Sequence, residues 1–101
     1  METKNTHFAG EFRIAADHPA LAGHFPGNPL VPGVVLLDHA QALIANEARV
    51  NGISRVKFTG FVRPGETVRV VTTRRTRGLA FRCEVDGRAV VQGEFTLAGG
   101  A

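Results

Sequence analysis

His24 and Asp38 are the residues of this chain best suited to proton transfer, and both lie in the segment GHFPGNPLVPGVVLLDHA, residues 23–40. Glycine and proline hold His24 in a stiff loop, whereas Asp38 falls within an apolar stretch. A carboxylate in such a stretch must be paired, close to water, or kept protonated by desolvation. A neutral imidazole accepts a proton and a protonated carboxyl donates one. If they faced one pocket, His24 could remove a proton from carbon and Asp38 could protonate a departing hydroxyl. The alternative for His24 is a structural role, with its ring hydrogen-bonded to a nearby carbonyl.

A helix that begins near Gly33 would supply the third component of such a site. The N–H groups of a first helical turn have no partners within the helix and carry partial positive charge. They can hold a carbonyl oxygen while negative charge develops on it. A base, an acid and an oxyanion site together suit proton abstraction next to a carbonyl, followed by loss of water.

The apolar stretch predicts one long helix over Gly33–Val50. Pro32 suits the first turn because its missing N–H costs nothing there, and Asn51-Gly52 provides a C-terminal stop. One stripe at helical spacing contains Val34, Leu37, Gln41, Ile44 and Ala48. Few polar residues lie outside this stripe, so we expect the helix to be buried on most sides.

Strand patterns occupy most of the remaining chain. A first strand is predicted at Phe8–Ala15, and four more follow the helix: Ile53–Val62, Glu66–Thr73, Leu79–Val85 and Ala89–Leu97. Leu79–Val85 alternates cleanly, with Leu79, Phe81, Cys83 and Val85 on one face. Arg63-Pro64-Gly65 predicts a turn and Asp86-Gly87 a two-residue hairpin. The predicted fold is α+β, an antiparallel sheet wrapped around one helix, which is the hotdog layout.

Length and composition limit the alternatives. The 101 residues, 44% of them hydrophobic, predict a single domain spanning 1–101. The longest apolar stretch, Pro32–Ala45, is too short and too interrupted to span a bilayer. The N-terminus lacks an apolar signal region, and the lone Cys83 cannot form an internal disulfide, so we expect a cytoplasmic protein. The four histidines, His7, His18, His24 and His39, lack metal-ligand spacing, and the chemistry needs no cofactor.

The net charge of +3 is concentrated in the second half of the chain, where Arg74, Arg75 and Arg77 form the densest basic cluster. This cluster is either a solvated strand face or a surface that attracts an acidic protein partner. Nucleic acid fits less well because aromatic residues are not interleaved with the arginines as a base-stacking surface needs.

The segment H-F-P-G-N-P-L-V-P-G-V-V-L-L-D, residues 24–38, resembles the signature of the 3-hydroxyacyl-ACP dehydratases, the hotdog enzymes of fatty acid synthesis. Their pattern is His-Phe-x-Gly-x-Pro-x-x-Pro-Gly, with Glu or Asp in the helix that follows. The likeness extends to Val56-Lys57-Phe58 and to Arg63–Thr67. In size the chain looks closest to the compact dehydratases of aryl-polyene pathways.

This resemblance implies roles for individual residues. His24 would be the base, Asp38 the acid, and the Gly33 amide would polarise the thioester carbonyl. It also implies a homodimer or larger homo-oligomer, with each site taking its histidine from one subunit and its carboxylate from the other, and an acyl chain in an apolar tunnel. The pocket would be lined by Phe25, Val34, Leu37 and Gln41. The partner would be acyl carrier protein, docked on Arg74, Arg75 and Arg77.

Two other functions stay open. The family usually has Gln four residues after the acid, but position 42 is Ala and Gln41 lies one residue earlier. A non-catalytic hotdog protein that binds acyl thioesters, or that pairs with an active paralogue, is therefore an alternative. A hotdog thioesterase fits the His-Phe-Pro-Gly motif less well. His39, beside Asp38, could be its hydrogen-bond partner, a second proton carrier, or a surface residue.

Overall fold

The described part of the chain forms one five-stranded antiparallel sheet and one helix. The computed structural model describes residues 6–18, 21, 30–46 and 48–98. The strands pair in the order β1-β3-β4-β5-β2. This is the predicted α+β arrangement, with the helix in the connection between the two edge strands. The elements are β1 Thr6–Phe12, α1 Gly33–Ile44, β2 Val50–Phe58, β3 Val68–Arg74, β4 Gly78–Val85 and β5 Arg88–Leu97.

Both predicted turns are confirmed by their backbone geometry. Asp86 and Gly87 join β4 to β5 with φ values of 50° and 80°, as a two-residue hairpin of the primed type requires. In the connection between β2 and β3, Gly65 has a φ of 88°. The Glu66 N–H donates to the Arg63 carbonyl at 3.2 Å, which closes that turn. Glycine is needed at positions 65 and 87 because side chains rarely adopt such angles.

The core lies between α1 and one face of the sheet. The alternation predicted for β4 is confirmed, since Leu79, Phe81, Cys83 and Val85 are all buried. Phe81 stacks on Phe95, with ring centroids 4.4 Å apart. Aromatic pairs in this geometry add to the stability that apolar burial supplies. The sheet therefore provides a rigid floor against which α1 is positioned.

The helix is shorter than predicted. It ends at Ile44 rather than Val50, and a last turn follows in which the Ala48 N–H donates to the Ile44 carbonyl at 3.0 Å. The predicted stop, Asn51-Gly52, lies inside β2, where the pairing with β5 shifts register between Val50 and Gly52. Gly52 thus marks an irregularity in a strand rather than a helix end, a common role for glycine in strands. The strand limits also differ from the predicted ones by a few residues.

The prediction that α1 is buried on most sides is wrong for the single chain. Its buried residues are Leu36, Ala40 and Ile44, which recur every four residues and form one face. Val34 is 69% exposed, and Asp38 and Gln41 are also exposed. The reason is geometric, because a five-stranded sheet contacts only one side of a helix and nothing in the described chain covers the other.

The edge strand β2 leaves apolar side chains exposed beside α1. It pairs with β5 on one edge only. Ile53 pairs opposite the fully buried Phe95 and so shares its face of the sheet. Ile53 is nevertheless 43% exposed and Phe58 49% exposed. We call this region, formed by Val34, Asp38, Gln41, Ile53 and Phe58, the α1–β2 margin. Within the described residues, no helix has the length and apolar character needed to cross a membrane.

Candidate active site

The first turn of α1 has two backbone N–H groups without a carbonyl partner in the described part of the chain. Pro32 precedes the helix in an extended conformation and provides no side-chain cap. The N–H groups of Val35 and Leu36 both donate to the Pro32 carbonyl, at 3.0 and 3.4 Å. Those of Gly33 and Val34 donate to no backbone carbonyl of the described residues. Two polarised donors are therefore available to a ligand at this end of the helix.

The connection between β2 and β3 binds Val31, which lies two residues before the first residue of α1. The Val31 N–H donates to the Val62 carbonyl at 2.8 Å. The guanidinium of Arg88, from the start of β5, donates to the Phe61 carbonyl at 3.0 Å and reaches the Glu66 carboxylate at 3.4 Å. The other Glu66 oxygen accepts the Arg63 N–H at 2.7 Å. Side chains far along the chain thus fix the loop that positions the start of α1.

Asp38 lies on the exposed side of α1 and contacts no described partner by hydrogen bond or ion pair. From the sequence, this carboxylate was expected in apolar surroundings, where it would have to be paired, close to water or protonated. In the single chain it reaches water. Val34 precedes it by one turn and Gln41 follows it by three residues, which makes all three neighbours on the helix surface.

The structure brings some of the predicted site residues together. Val34, Asp38 and Gln41 share the exposed side of α1, and Gly33 is the first residue of the same helix. Leu37 is half-buried and packs against the core. The predicted base His24 and its neighbour Phe25 lie outside the described residues.

His39 does not face the same way as Asp38. Its ring stacks on Phe12 of β1, with centroids 4.8 Å apart and planes inclined by 17°. This packing role differs from the three alternatives considered from the sequence. In the described ranges, no three or more of the His, Cys, Asp and Glu side chains cluster closely enough to hold a metal ion.

Cys83 is a poor candidate nucleophile. It is a free thiol buried in the core. Desolvation by burial raises its pKa from 9.0 to about 12. Because the thiolate is the reactive form, this residue contributes packing rather than chemistry.

The basic cluster lies away from Asp38. Arg74, Arg75 and Arg77 are exposed at the turn between β3 and β4, which the Arg75 N–H closes by donating to the Gly78 carbonyl at 2.9 Å. Arg75 also lines an open groove of about 640 Å³. No residue of α1 lines this groove; its basic lining residues are Arg55, Lys57, Arg75 and Arg82.

Comparison with known proteins identifies the family. The model of the ApeI-like family, described as ApeI dehydratase, matches residues 1–94. The chain belongs to the ApeI-like dehydratase family. The predicted dehydratase activity of this ApeI-like chain is thereby confirmed, and individual relatives agree with it.

Among these relatives is the 3-hydroxyacyl-[acyl-carrier-protein] dehydratase FabZ of Thermomicrobium roseum. It is 35% identical over 101 residues, which cover 84% of this chain and 68% of the relative. FabZ of Chloroflexus aggregans is 36% identical over 87 residues, covering 69% of this chain and 58% of the relative.

Solved structures agree with the family assignment. The dehydratase heterocomplex ApeI:P from Xenorhabdus doucetiae matches with a TM-score of 0.69 and 27% identity, over 86% of this chain and 82% of that one. An uncharacterized protein from Erwinia carotovora subsp. atroseptica matches with a TM-score of 0.67 and 28% identity, over 97% of this chain and 88% of that one. The hotdog fold predicted for the ApeI-like chain is thus confirmed.

Sequence reasoning missed the residues that position this site. Arg88 and Glu66, which are 22 residues apart in the sequence, hydrogen-bond to each other and fix the β2–β3 loop. The turn motif around Pro64 indicates a connection between two strands, but it does not indicate that this connection hydrogen-bonds to Val31 before the helix. Phe58 was noticed only as part of a family-like segment, although its ring contacts the start of α1.

Proposed function

We propose that this ApeI-like dehydratase converts a 3-hydroxyacyl thioester, carried on acyl carrier protein, to the trans-2-enoyl thioester and water. The observation that carries the proposal is the start of α1, where the Gly33 N–H has no carbonyl partner among the described residues, on the helix that also carries the exposed Asp38. The signature from His24 to Asp38 and the names of the FabZ relatives support the same substrate class.

The spacing on α1 suits this substrate. Gly33 and Asp38 differ by about 7.5 Å along the helix axis. Helical side chains lean towards the N-terminus, so the Asp38 carboxyl leans towards the end of α1 at which Gly33 lies. A carbonyl oxygen and a hydroxyl on the third carbon of one acyl chain could then contact both groups.

The roles of the residues follow from the bonds that change. His24 takes the proton from the second carbon, and the electrons of that C–H bond form the new double bond. The Gly33 N–H stabilises the enolate-like oxygen of the thioester. Asp38 donates a proton to the hydroxyl on the third carbon, whose C–O bond breaks to release water. Neither a metal nor a redox cofactor takes part.

A second copy of the chain would complete the site. The α1–β2 margin exposes Val34, Ile53 and Phe58, and burying them in a homodimer would be favourable. The same burial would enclose Asp38 in the site. We propose that each site combines His24 of one subunit with Asp38 of the other.

Other residues of α1 would handle the acyl chain and the leaving water. Val34, with Leu37 and Phe25, would line an apolar pocket. Gln41 follows Asp38 by three residues on the exposed side of the helix. This placement supports Gln41 as the group that holds the departing water, in place of the glutamine that the family usually carries at position 42.

The basic turn between β3 and β4 would receive the carrier protein. Arg74, Arg75 and Arg77 are exposed there, and an acidic partner would be steered to such a cluster. We place the reaction in the cytoplasm, where an unpaired thiol such as Cys83 stays reduced.

One alternative has a specific observation in its favour. Ala42 occupies the position of the family glutamine, and a similar solved structure is a heterocomplex of dehydratase chains. The chain could therefore bind acyl thioesters without chemistry, or act as the partner of an active paralogue. A hotdog thioesterase is the weaker competitor.

One assay separates the three functions. The pure protein is incubated with a 3-hydroxyacyl carrier thioester while enoyl absorbance and free thiol are followed. The dehydratase predicts enoyl absorbance without thiol release, whereas thiol without enoyl would indicate a thioesterase. An unchanged thioester would contradict the proposal and favour the non-catalytic alternative.

A further inference from the structure

Phe58, the last residue of β2, occupies the space beside Gly33 that a side chain would need. A Cβ on Gly33 would lie 2.6 Å from Cε1 and 2.7 Å from Cδ1 of the Phe58 ring, and 3.1 Å from its Cζ. The first two distances are shorter than Cβ contacts in real structures. Gly33 is not among the glycines with positive φ. The position of the Phe58 ring, rather than the backbone conformation, therefore disfavours a side chain at position 33.

The strand fixes the backbone that carries this ring. Phe58 pairs opposite Val91 of β5. The N–H of the next residue, Thr59, donates to the Val90 carbonyl at 2.9 Å, and the Thr59 hydroxyl donates to the Ala89 carbonyl at 2.9 Å. These hydrogen bonds fix the backbone from which the Phe58 ring, 49% exposed, reaches the start of α1.

The start of α1 is thus held at two points. Before the helix, the Val31 N–H is bonded to the Val62 carbonyl. At its first residue, the Phe58 ring packs on Gly33. Between these points lies Pro32, whose φ is restricted by its ring. An amide held in this way is preorganised, which is what makes an oxyanion donor effective.

We propose that Phe58 is a positioning residue for the thioester carbonyl, acting through Gly33. Its ring holds the first turn of α1 so that the Gly33 N–H stays directed at the oxygen of the substrate. This inference rests on the proposed role of the Gly33 amide. It adds a reason for glycine at the end of the signature in this chain, namely that the ring occupies the space a side chain would need.

A kinetic double-mutant cycle tests the inference. The proteins are wild type, Phe58→Ala, Gly33→Ala and the double variant, with kcat and KM measured on the same 3-hydroxyacyl thioester. Phe58→Ala should lower kcat about tenfold to a hundredfold, because small misplacements of catalytic groups have effects of that size. The KM should stay within about twofold, since the ring acts on the transition state through the amide. Phe58→Leu, which keeps apolar bulk, should regain most of the lost kcat.

Coupling between the two positions is the decisive readout. Gly33→Ala should be severely impaired in the wild-type background, because its methyl group meets the ring. In the Phe58→Ala background the same change should have almost no additional effect, because the space is vacant. Phe8→Ala is the matched control, since Phe8 is 43% exposed and lies under Arg69 on β3; its kcat should equal that of wild type.

Two results would overturn the inference. One is a Gly33→Ala change that lowers kcat by the same factor in the wild-type and in the Phe58→Ala background. The other is a Phe58→Ala kcat that falls only in proportion to the folded, dimeric fraction, measured by thermal unfolding and sedimentation of each variant. Failure of the proposed function would look different: wild type would leave the 3-hydroxyacyl thioester unchanged, or its turnover would survive both His24→Ala and Asp38→Asn.

Discussion

Val34 offers a quantitative test of the proposal that a second copy covers the α1–β2 margin. It is 69% exposed in the single chain. Val34→Ala removes two carbon groups, worth about 0.8 kcal/mol each when fully buried. Scaled by the exposed fraction, the loss is about 1 kcal/mol per copy and about 2 kcal/mol for a symmetric dimer. The dimer should therefore dissociate about thirtyfold more readily.

The assay is sedimentation or light scattering over a dilution series. Phe8→Ala, a half-exposed apolar position on the opposite edge strand, should leave dimerisation unchanged. The unfolding midpoint of the Val34→Ala monomer should not fall, because alanine favours an exposed helical position. The reasoning is refuted if Val34→Ala associates as tightly as wild type, or if wild type stays monomeric at every concentration.

Three further outcomes are expected. Arg88→Gln should reduce kcat with a loss of stability of at most about 1 kcal/mol, because the Arg88–Glu66 pair is partly exposed but fixes the β2–β3 loop; kinetics and thermal unfolding measure this, and an unchanged kcat would contradict it. Cys83 ionises near pH 9.0 when unfolded but near 12 when folded, so wild type should lose stability relative to Cys83→Ala by up to about 1.4 kcal/mol per pH unit between those values, and not below pH 9. Urea titrations at several pH values give the free energy of unfolding of both proteins. If it changes with pH equally in wild type and in Cys83→Ala, the prediction is wrong. Arg74→Glu with Arg75→Glu should weaken carrier-protein binding but spare a small thioester mimic, and equal losses on both substrates would argue against docking there.

The turns and the alternation of β4 could be predicted because their causes are local. Gly65 and Asp86-Gly87 are residue types that particular backbone angles require. The burial of Cys83 follows from a period of two along one strand.

The end of α1 could not be predicted because its cause is distant. The chain after Ile44 is rich in alanine and suits a helix, but pairing of Val50 with Leu97 commits it to β2. Asn51-Gly52, which resembles a helix stop, lies in that strand. Tertiary pairing overrides local propensity at such boundaries.

The candidate site was predicted in its residue types but not in its surroundings. Periodicity cannot tell whether an apolar helix face is covered by the same chain or by another, and so Asp38 was expected in apolar surroundings that the single chain does not provide. The contacts of Arg88 with the loop and of Phe58 with Gly33 join distant segments. Such contacts become visible only when the sheet order is known.

Subunit complementation tests the central claim most directly. His24→Ala and Asp38→Asn are each expected to be folded and nearly inactive as pure dimers. If every site takes its histidine and its carboxylate from different subunits, a mixed dimer has one intact site and one doubly defective site. A co-refolded one-to-one mixture should then recover about a quarter of wild-type turnover. A mixture no more active than its components, or full turnover by either variant alone, would contradict the account.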